Sequence, residues 1–342
     1  MSLSPPQIEA LKEHCSVSST AAQSVDEQAW LAARTKGIGG SDVGSICGVN
    51  PWSSALQVYF NKTGQFQEER EPDKAAQERM HWGHMLEHVV ADEFELRNPN
   101  LHCIEADCSF KSNTHEFLLA NVDRFVVDEN GQFVGILECK TANSLMASEW
   151  EAGDIPLSYF YQVQHYMYVT GLHRGWICCL VGGNKFFQYD IFFDADLYTG
   201  TILPILETFW NNNVLKLKEP EVQGADNDLF NTLFPTDKID DEPAQFDTSF
   251  DEIGKAYLEA KQKEKAAKKE VEELQAKIKQ HLQQKTTAYS PGYEFVWKPR
   301  TRTSVDSTML KTMYPDVYEA VAKTTTYRQM SVKAVNNEDI SF

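Results

Sequence analysis

The sequence predicts a mixed α/β fold, a central mixed β-sheet flanked by helices, with a helical arm towards the C-terminal end. Three observations carry that reading. Two apolar runs, EFLLANVDRFVV (116–127) and QFVGILECK (132–140), flank the hairpin turn signal DENG. A helical run, LSYFYQVQHYMYVTG (157–171), stops at glycine and precedes a core strand, GWICCLVGG (175–183), with its hairpin partner KFFQYDIFF (185–193). A charged stretch, 249–285, repeats apolar residues at spacings of three and four, a narrow stripe on a long helix.

The elements follow in order. Residues 1–35 read as polar and helical. GIGGSD (37–42) is a glycine-rich turn, and the short helix after it has Ser41 near its N-cap. SALQVYFNKTG (54–64) is a helix stopped by Gly64. Residues 65–77 are charged and expected to be exposed, and 76–98 read as a long helix. The two hairpins and the helix between them come next, then a helical stretch at 195–217. Residues 219–248 are acidic and contain proline, so they read as a linker or long loop. The tail, 286–342, reads as strand, helix (306–323), strand. The expected division is therefore a core at 1–218, a linker at 219–248, and an arm with a small α/β tail at 249–342.

Composition narrows the function. The chain has 342 residues, 42% hydrophobic, enough to bury a substantial core. It carries 32 Lys and Arg against 50 Asp and Glu, a net charge of −18. That excludes coating nucleic acid by bulk attraction, but leaves room for a small local site built around metal. The seven cysteines include no CxxC pair, so they read as reduced, buried thiols rather than a zinc or iron–sulfur site. No run of 18 apolar residues occurs, and the start lacks a basic stretch followed by an apolar one, which points to the cytoplasm.

VGILECKTAN (134–143) carries the chemistry. Charged residues avoid the end of an apolar strand unless they are paired or used. A turn centred between Glu129 and Asn130 makes paired residue numbers sum to about 259. Asp123 then opposes Ile136, with Glu138 one diagonal step away and Lys140 further along the same face. An ordinary ion pair is the bland account. The functional account is that Asp123 and Glu138 hold a hard divalent cation through oxygen. Lys140 then orients or deprotonates a water, or neutralises the transition state. The Cys139 side chain points to the opposite face, while its backbone carbonyl is free to complete a metal shell.

The pattern D-x14-E-x-K across a hairpin resembles the PD-(D/E)XK nuclease core. Gly83-His84-Met85-Leu86-Glu87 resembles that family's helical GxxxE. Gln162-Val163-Gln164-His165-Tyr166 resembles the Q-x-x-x-Y helix of RecB-like nucleases. Arg34 followed by GIGGSD resembles the start of the YqaJ viral recombinase family, relatives of lambda exonuclease. The ordered set spans about residues 28–172. The resemblance implies a restriction-endonuclease-like core that digests one strand of linear double-stranded DNA from its 5′ end. The 3′ overhang would pass to a RecT/Beta-like single-strand annealing protein, and the enzyme would form a ring-shaped homotrimer. It further implies two Mg²⁺ ions, with Mn²⁺ able to substitute. Asp123 and Glu138 would be ligands, Glu87 would lie near the second ion, and the Cys139 carbonyl would assist. Lys140 would be catalytic, supported by Gln162, and Arg34 and Ser41 would hold the 5′-phosphate. The sequence departs from the pattern at Val122, where the family often has proline, and no arginine follows closely after Lys140.

Other readings stay open here. A structure-specific or restriction-like endonuclease uses the same core, and a non-catalytic DNA-binding module is a second alternative. His81, His84 and His88 share a helical face, but Glu87 stands directly before His88 and not directly after the first histidine of the pair, as an HExxH site requires. Tyr159, Phe160, Tyr161, Tyr166 and Tyr168 read as core packing before base stacking.

Overall fold

The computed structural model describes residues 3–19, 27–65, 74–106, 108–234, 244–323 and 328–334. The expected acidic linker lies partly outside them, as do parts of the charged segment after 65 and the last strand of the tail. The chain divides into two compact units, 1–233 and 234–342.

The first unit opens with α1 (Pro5–Leu11), β1 (Cys15–Ser19) and α2 (Glu27–Arg34). β1 corrects the all-helical reading of 1–35: CSVSS is a short strand that pairs antiparallel with Ser109–Ser112. Five residues pairing with a partner some ninety positions away leave no helical or hairpin signature to read. β2 (Ile38–Gly39) and α3 (Gly40–Ile46) follow, then α4 (Ala55–Thr63), whose C-cap Gly64 adopts φ +64°. α5 (Lys74–Arg97) is the long helix expected over 76–98. Then come β3 (Leu101–Glu105), β4 (Ser109–Ser112), β5 (Leu118–Ala120), β6 (Arg124–Asp128) and β7 (Phe133–Ala142). The unit continues through α6 (Ala147–Ala152), α7 (Leu157–Thr170), β8 (Arg174–Val181) and β9 (Lys185–Phe192). α8 (Ala195–Leu197) and α9 (Leu203–Thr208) are joined and extended by wide helical turns, and α10 (Asp226–Leu233) closes the unit.

Five strands form a mixed sheet in the order β3-β6-β7-β8-β9. Only β7 and β8 run parallel, and α7 supplies the crossover that a parallel neighbour needs. Side chains alternate between the two faces of β7. Ile136 enters the larger core, beneath α7, with Val163, Met167 and Ile177. Leu137 enters a smaller core beneath α5, with Val90, Phe94, Val126 and Trp176. Phe94 meets the Trp176 ring at 5.3 Å, close to edge-on, a geometry that aromatic pairs favour. A second sheet, β1-β4-β5-β2, abuts the same larger core through Phe110 and Leu118.

The single strand expected over 116–127 is two strands in two sheets. β5 belongs to the four-stranded sheet and β6 to the five-stranded one. The chain breaks at Asn121-Val122-Asp123, where the Asn121 side chain accepts the Ser109 hydroxyl. The break leaves Asp123 at the mouth of the sheet, not within a ladder.

The expected boundary at 218 also moves. Asp226 in α10 is buried and accepts the Ser54 hydroxyl and, at 2.6 Å, the Gln223 backbone N–H. Those bonds tie the stretch before 233 to the start of α4, so it packs as part of the first unit and is not linker.

In the second unit, α11 (Ser249–Leu282) runs for 34 residues, about 51 Å at 1.5 Å per residue. Phe250, Ile253, Val271, Leu274 and Ile278 of its apolar stripe are exposed. β10 (Thr287–Ser290) and β11 (Tyr293–Val296) form a hairpin. The helix expected over 306–323 is split into α12 (Ser307–Met313) and α13 (Pro315–Val321), because Pro315 starts a new helix and bars Tyr314 from helical geometry.

Candidate active site

The β6–β7 turn decides which side chains meet. Asp128 Oδ1 accepts the backbone N–H of Asn130 and of Gln132, both at 2.9 Å, and Gly131 takes φ +75°. The loop therefore holds three residues, not two, which moves the pairing sum from 259 to 260. A bulge at Val134 moves it again, giving Arg124↔Leu137 and Phe125↔Ile136, a sum of 261. The expected register is thus corrected by two residues. Each one-residue slip alone would swap faces, and together they restore the face. Asp123 comes opposite Glu138 in place of Ile136.

Asp123, Glu138, Lys140 and Gln162 converge there. Asp123 Oδ2 accepts the Cys139 backbone N–H at 2.8 Å. Glu138 is 2% exposed, and its Oε1 accepts Lys140 Nζ at 2.5 Å and Gln162 Nε2 at 2.6 Å. Gln162 Oε1 takes a further bond from Lys140 at 3.3 Å, and its Nε2 reaches the Tyr166 hydroxyl at 3.1 Å. Gln162 and Tyr166 are four apart on α7, so one helical face presents both. Lys140 also lies 4.8 Å from the centre of the Tyr159 ring.

The electrostatics follow from burying acids with too few bases. Burial and the neighbouring Asp123 carboxylate push Glu138 up to about 8, against the pull of Lys140. Asp123 is pushed up by burial too, opposed by Lys140 and the Cys139 N–H. For Lys140, burial favours loss of the proton, but Glu138 and Asp123 outweigh it and the net shift is upward. The ammonium is held charged.

Glu87 approaches from α5, and sequence reasoning missed what meets it. Arg124, at the start of β6 and 8% exposed, donates from Nη1 to Glu87 Oε1 at 2.5 Å and to the Asp123 carbonyl at 2.6 Å. The same nitrogen lies 3.9 Å from Glu105 on the adjacent strand. Burial and Asp123 push Glu87 up to about 7 despite Arg124. The available signal was an arginine inside an otherwise apolar strand, directly after the key aspartate.

Arg34 and Ser41 line the same cleft of about 650 Å³ as Glu87, Asp123, Glu138, Lys140 and Gln162. Arg34 Nη2 donates to the Ser41 hydroxyl at 2.6 Å, and its guanidinium lies 4.5 Å from the centre of the Trp30 ring. Asp42, by contrast, is spent internally. It accepts the Gly39 N–H at 2.9 Å and pairs with the buried Lys62 at 2.7 Å. Gly40 has a steric reason: a Cβ there would stand 2.7 Å from Tyr166 Cζ and 3.0 Å from Gln162 Cγ. Gly40→Ala should cost about 1–3 kcal/mol through overpacking, read as a lower Tm. An unchanged Tm would mean that α3 shifts freely.

The donor set suits a hard divalent cation. Glu138 Oε2 is buried and has no hydrogen-bond partner among the described residues. Such an atom is costly unless something positive reaches it. No group of three His, Cys, Asp or Glu forms a ready-made cage among the described residues. Arg124 and Lys140 instead occupy oxygens of Glu87 and Glu138. The Cys139 N–H, not its carbonyl, makes the observed contact. Of the three histidines on α5, only His84 lines the cleft. The tyrosines of α7 pack on the core, Tyr168 stacking on Tyr198 at 4.4 Å. Burial pushes the thiols of Cys15, Cys47 and Cys179 up to about 12. Among the described residues, no helix is long and apolar enough to cross a membrane.

Comparison with known proteins finds a family match, a relative and similar solved structures. The YqaJ-like viral recombinase domain matches residues 29–173, the stretch that contains the cleft motifs. The protein YqaJ of Bacillus subtilis (strain 168) is 33% identical over 312 residues, 90% of this chain and 94% of that protein. Among solved structures, an alkaline exonuclease (LHK-Exo) from Laribacter hongkongensis is 19% identical with a TM-score of 0.44. The match covers 56% of this chain and 96% of that one. A phage related exonuclease from Haemophilus somnus 129PT is 14% identical with a TM-score of 0.36, covering 53% and 96%.

Proposed function

The chain belongs to the YqaJ-like viral recombinase family, and from that premise we propose that it is a divalent-metal-dependent exonuclease acting on linear double-stranded DNA. It digests one strand from the 5′ end and leaves a 3′ overhang for a single-strand annealing protein. The observation that carries the reading is buried Glu138, bonded to Lys140 and Gln162 beside Asp123, with its second oxygen unpartnered.

Asp123 and Glu138 would hold the cation, Mg²⁺ or Mn²⁺, with Glu87 contributing to a second ion and the Cys139 carbonyl to the first. The cation supplies an acidified water and a counter-charge for the phosphate. With no cation bound, the carboxylates beside Lys140 favour its charged form over burial. Lys140 neutralises charge building on the phosphate and orients the attacking water. Gln162 fixes both Glu138 and Lys140. Arg34 and Ser41 hold the terminal phosphate, for which a guanidinium fork is well suited. With a net charge of −18, the local cations need focusing by a cleft, and a ring of three copies would provide that.

The test is a duplex labelled on one strand, 5′-phosphorylated at one end, with Mg²⁺ or with EDTA, beside a covalently closed circle. Mg²⁺-dependent loss of the phosphorylated strand with the circle spared is expected. Cutting of the circle would instead identify an endonuclease, and no cutting at all a binding module. Arg34→Ala should abolish the preference for a 5′-phosphate over a 5′-hydroxyl end. A variant that keeps the preference would place the phosphate pocket elsewhere.

A further inference from the structure

Resting on the nuclease reading, we propose that Arg124 is a built-in stand-in for the second cation: while DNA is absent its guanidinium neutralises Glu87, and a divalent ion enters that end of the cleft only when Arg124 lets go. Three contacts converge on one nitrogen. Nη1 meets Glu87 Oε1, the Asp123 carbonyl and, more distantly, Glu105. The strand order explains why. Arg124 opposes Glu105 in the β3–β6 register and shares its β6 face with Val126, the face covered by α5. Asp123, one residue earlier, falls on the other face with Glu138. Two adjacent residues therefore serve opposite sides of the sheet end, Asp123 towards Lys140 and Arg124 towards Glu87.

The charge count gives this a consequence. Among the described residues, the ion pairs at this end set Glu138 against Lys140, and Glu87 and Glu105 against Arg124, while Asp123 feels Lys140, Arg124 and His84. Lys140 is bonded to Glu138 and to Gln162, which also grips Glu138. Among the described residues, no neutral side chain anchors Arg124 in this way; its partners are carboxylates and one carbonyl. A phosphate offers the same fork-matching geometry as a carboxylate. An incoming DNA phosphate can thus draw the guanidinium off Glu87, and the freed carboxylate then takes a hard cation. Second-ion occupancy becomes conditional on substrate, which restrains hydrolysis until DNA is seated.

The experiment counts Mn²⁺ by electron paramagnetic resonance and by calorimetry on the full chain, with no turnover needed. The parent alone should bind one ion per chain tightly. With a phosphorothioate-ended duplex that resists cleavage, it should bind two. Arg124→Gln should bind two ions without DNA, the second at least about tenfold more tightly than in the parent, because a competing charge has gone. Arg124→Lys, which keeps the charge but loses the fork, should still bind one and so guards against a folding artefact in the glutamine variant. Equal ion counts and affinities in parent and Arg124→Gln, with both folded, would overturn the proposal. If the parent binds no Mn²⁺ even with DNA, the nuclease reading itself fails, an outcome separable from the first.

Discussion

Lys140→Ala is expected to lower turnover on 5′-phosphorylated linear duplex about 10²-fold or more, the range lost when a charge-stabilising or proton-handling group is removed. The loss should appear at saturating DNA, since the Arg34 and Ser41 contacts remain. It should not come from loss of the cation. Lys140 is a positive charge bonded to Glu138 at 2.5 Å, so its removal favours a divalent ion at that carboxylate. Mn²⁺ affinity should hold or rise while turnover collapses. Without metal, the variant should be less stable than the parent, because a buried acid has lost its partner. Turnover equal to the parent would remove Lys140 from the chemistry. Turnover and Mn²⁺ affinity falling together would make it a structural support for the metal site.

The convergence of Glu138 and Lys140 was legible because strand periodicity is forgiving of paired errors. The turn was read one residue too short and the Val134 bulge was not foreseen, yet two slips of one residue leave the face unchanged. Asp128 and Gly131 build that longer turn through an Asx bond and a positive φ, detail that the four letters DENG do not separate from a two-residue turn. The break at Asn121 was not legible. EFLLANVDRFVV holds no glycine or proline to mark a break, and what divides it is the Ser109–Asn121 bond and a change of sheet, both non-local. What Arg124 pairs with was not legible for the same reason, since Glu87 lies 37 positions away. α11 was legible almost to the residue, because a solvated helix is governed by local periodicity alone. Residues 219–233 read as linker because their charge suits solvent, while one buried carboxylate, Asp226, holds them in place.

Glu138→Gln should remove a pH dependence of stability that the parent shows without metal. The sign follows from the acid's position. Glu138 has an ordinary value of 4.5 and is pushed up to about 8 by burial beside Asp123. The folded chain therefore holds this proton more tightly than the unfolded chain. Its contribution is fully present below the unfolded value and is lost as pH rises through the folded one. Glu87, pushed up to about 7, acts in the same direction. Lys140, shifted upward, keeps its contribution across this window. In EDTA the parent should thus lose about 2–4 kcal/mol between pH 5 and pH 8.5, a fall of roughly 5–10 °C in Tm for a unit of this size. A divalent ion binds the ionised carboxylates and not the protonated ones, so Mg²⁺ should restore the loss, and by more at higher pH. Glu138→Gln should flatten the slope in EDTA, leaving the parts due to Glu87 and Asp123, and should abolish most of the Mg²⁺ rescue. Melting curves across that pH range, with Mg²⁺ and with EDTA, make the comparison. Parallel slopes in parent and variant would mean that Glu138 is already ionised in the folded chain, held so by Lys140. The orphaned Oε2 would then mark a carboxylate satisfied by its ion pair alone, and the case for a cation at this end of the sheet would lose its principal support.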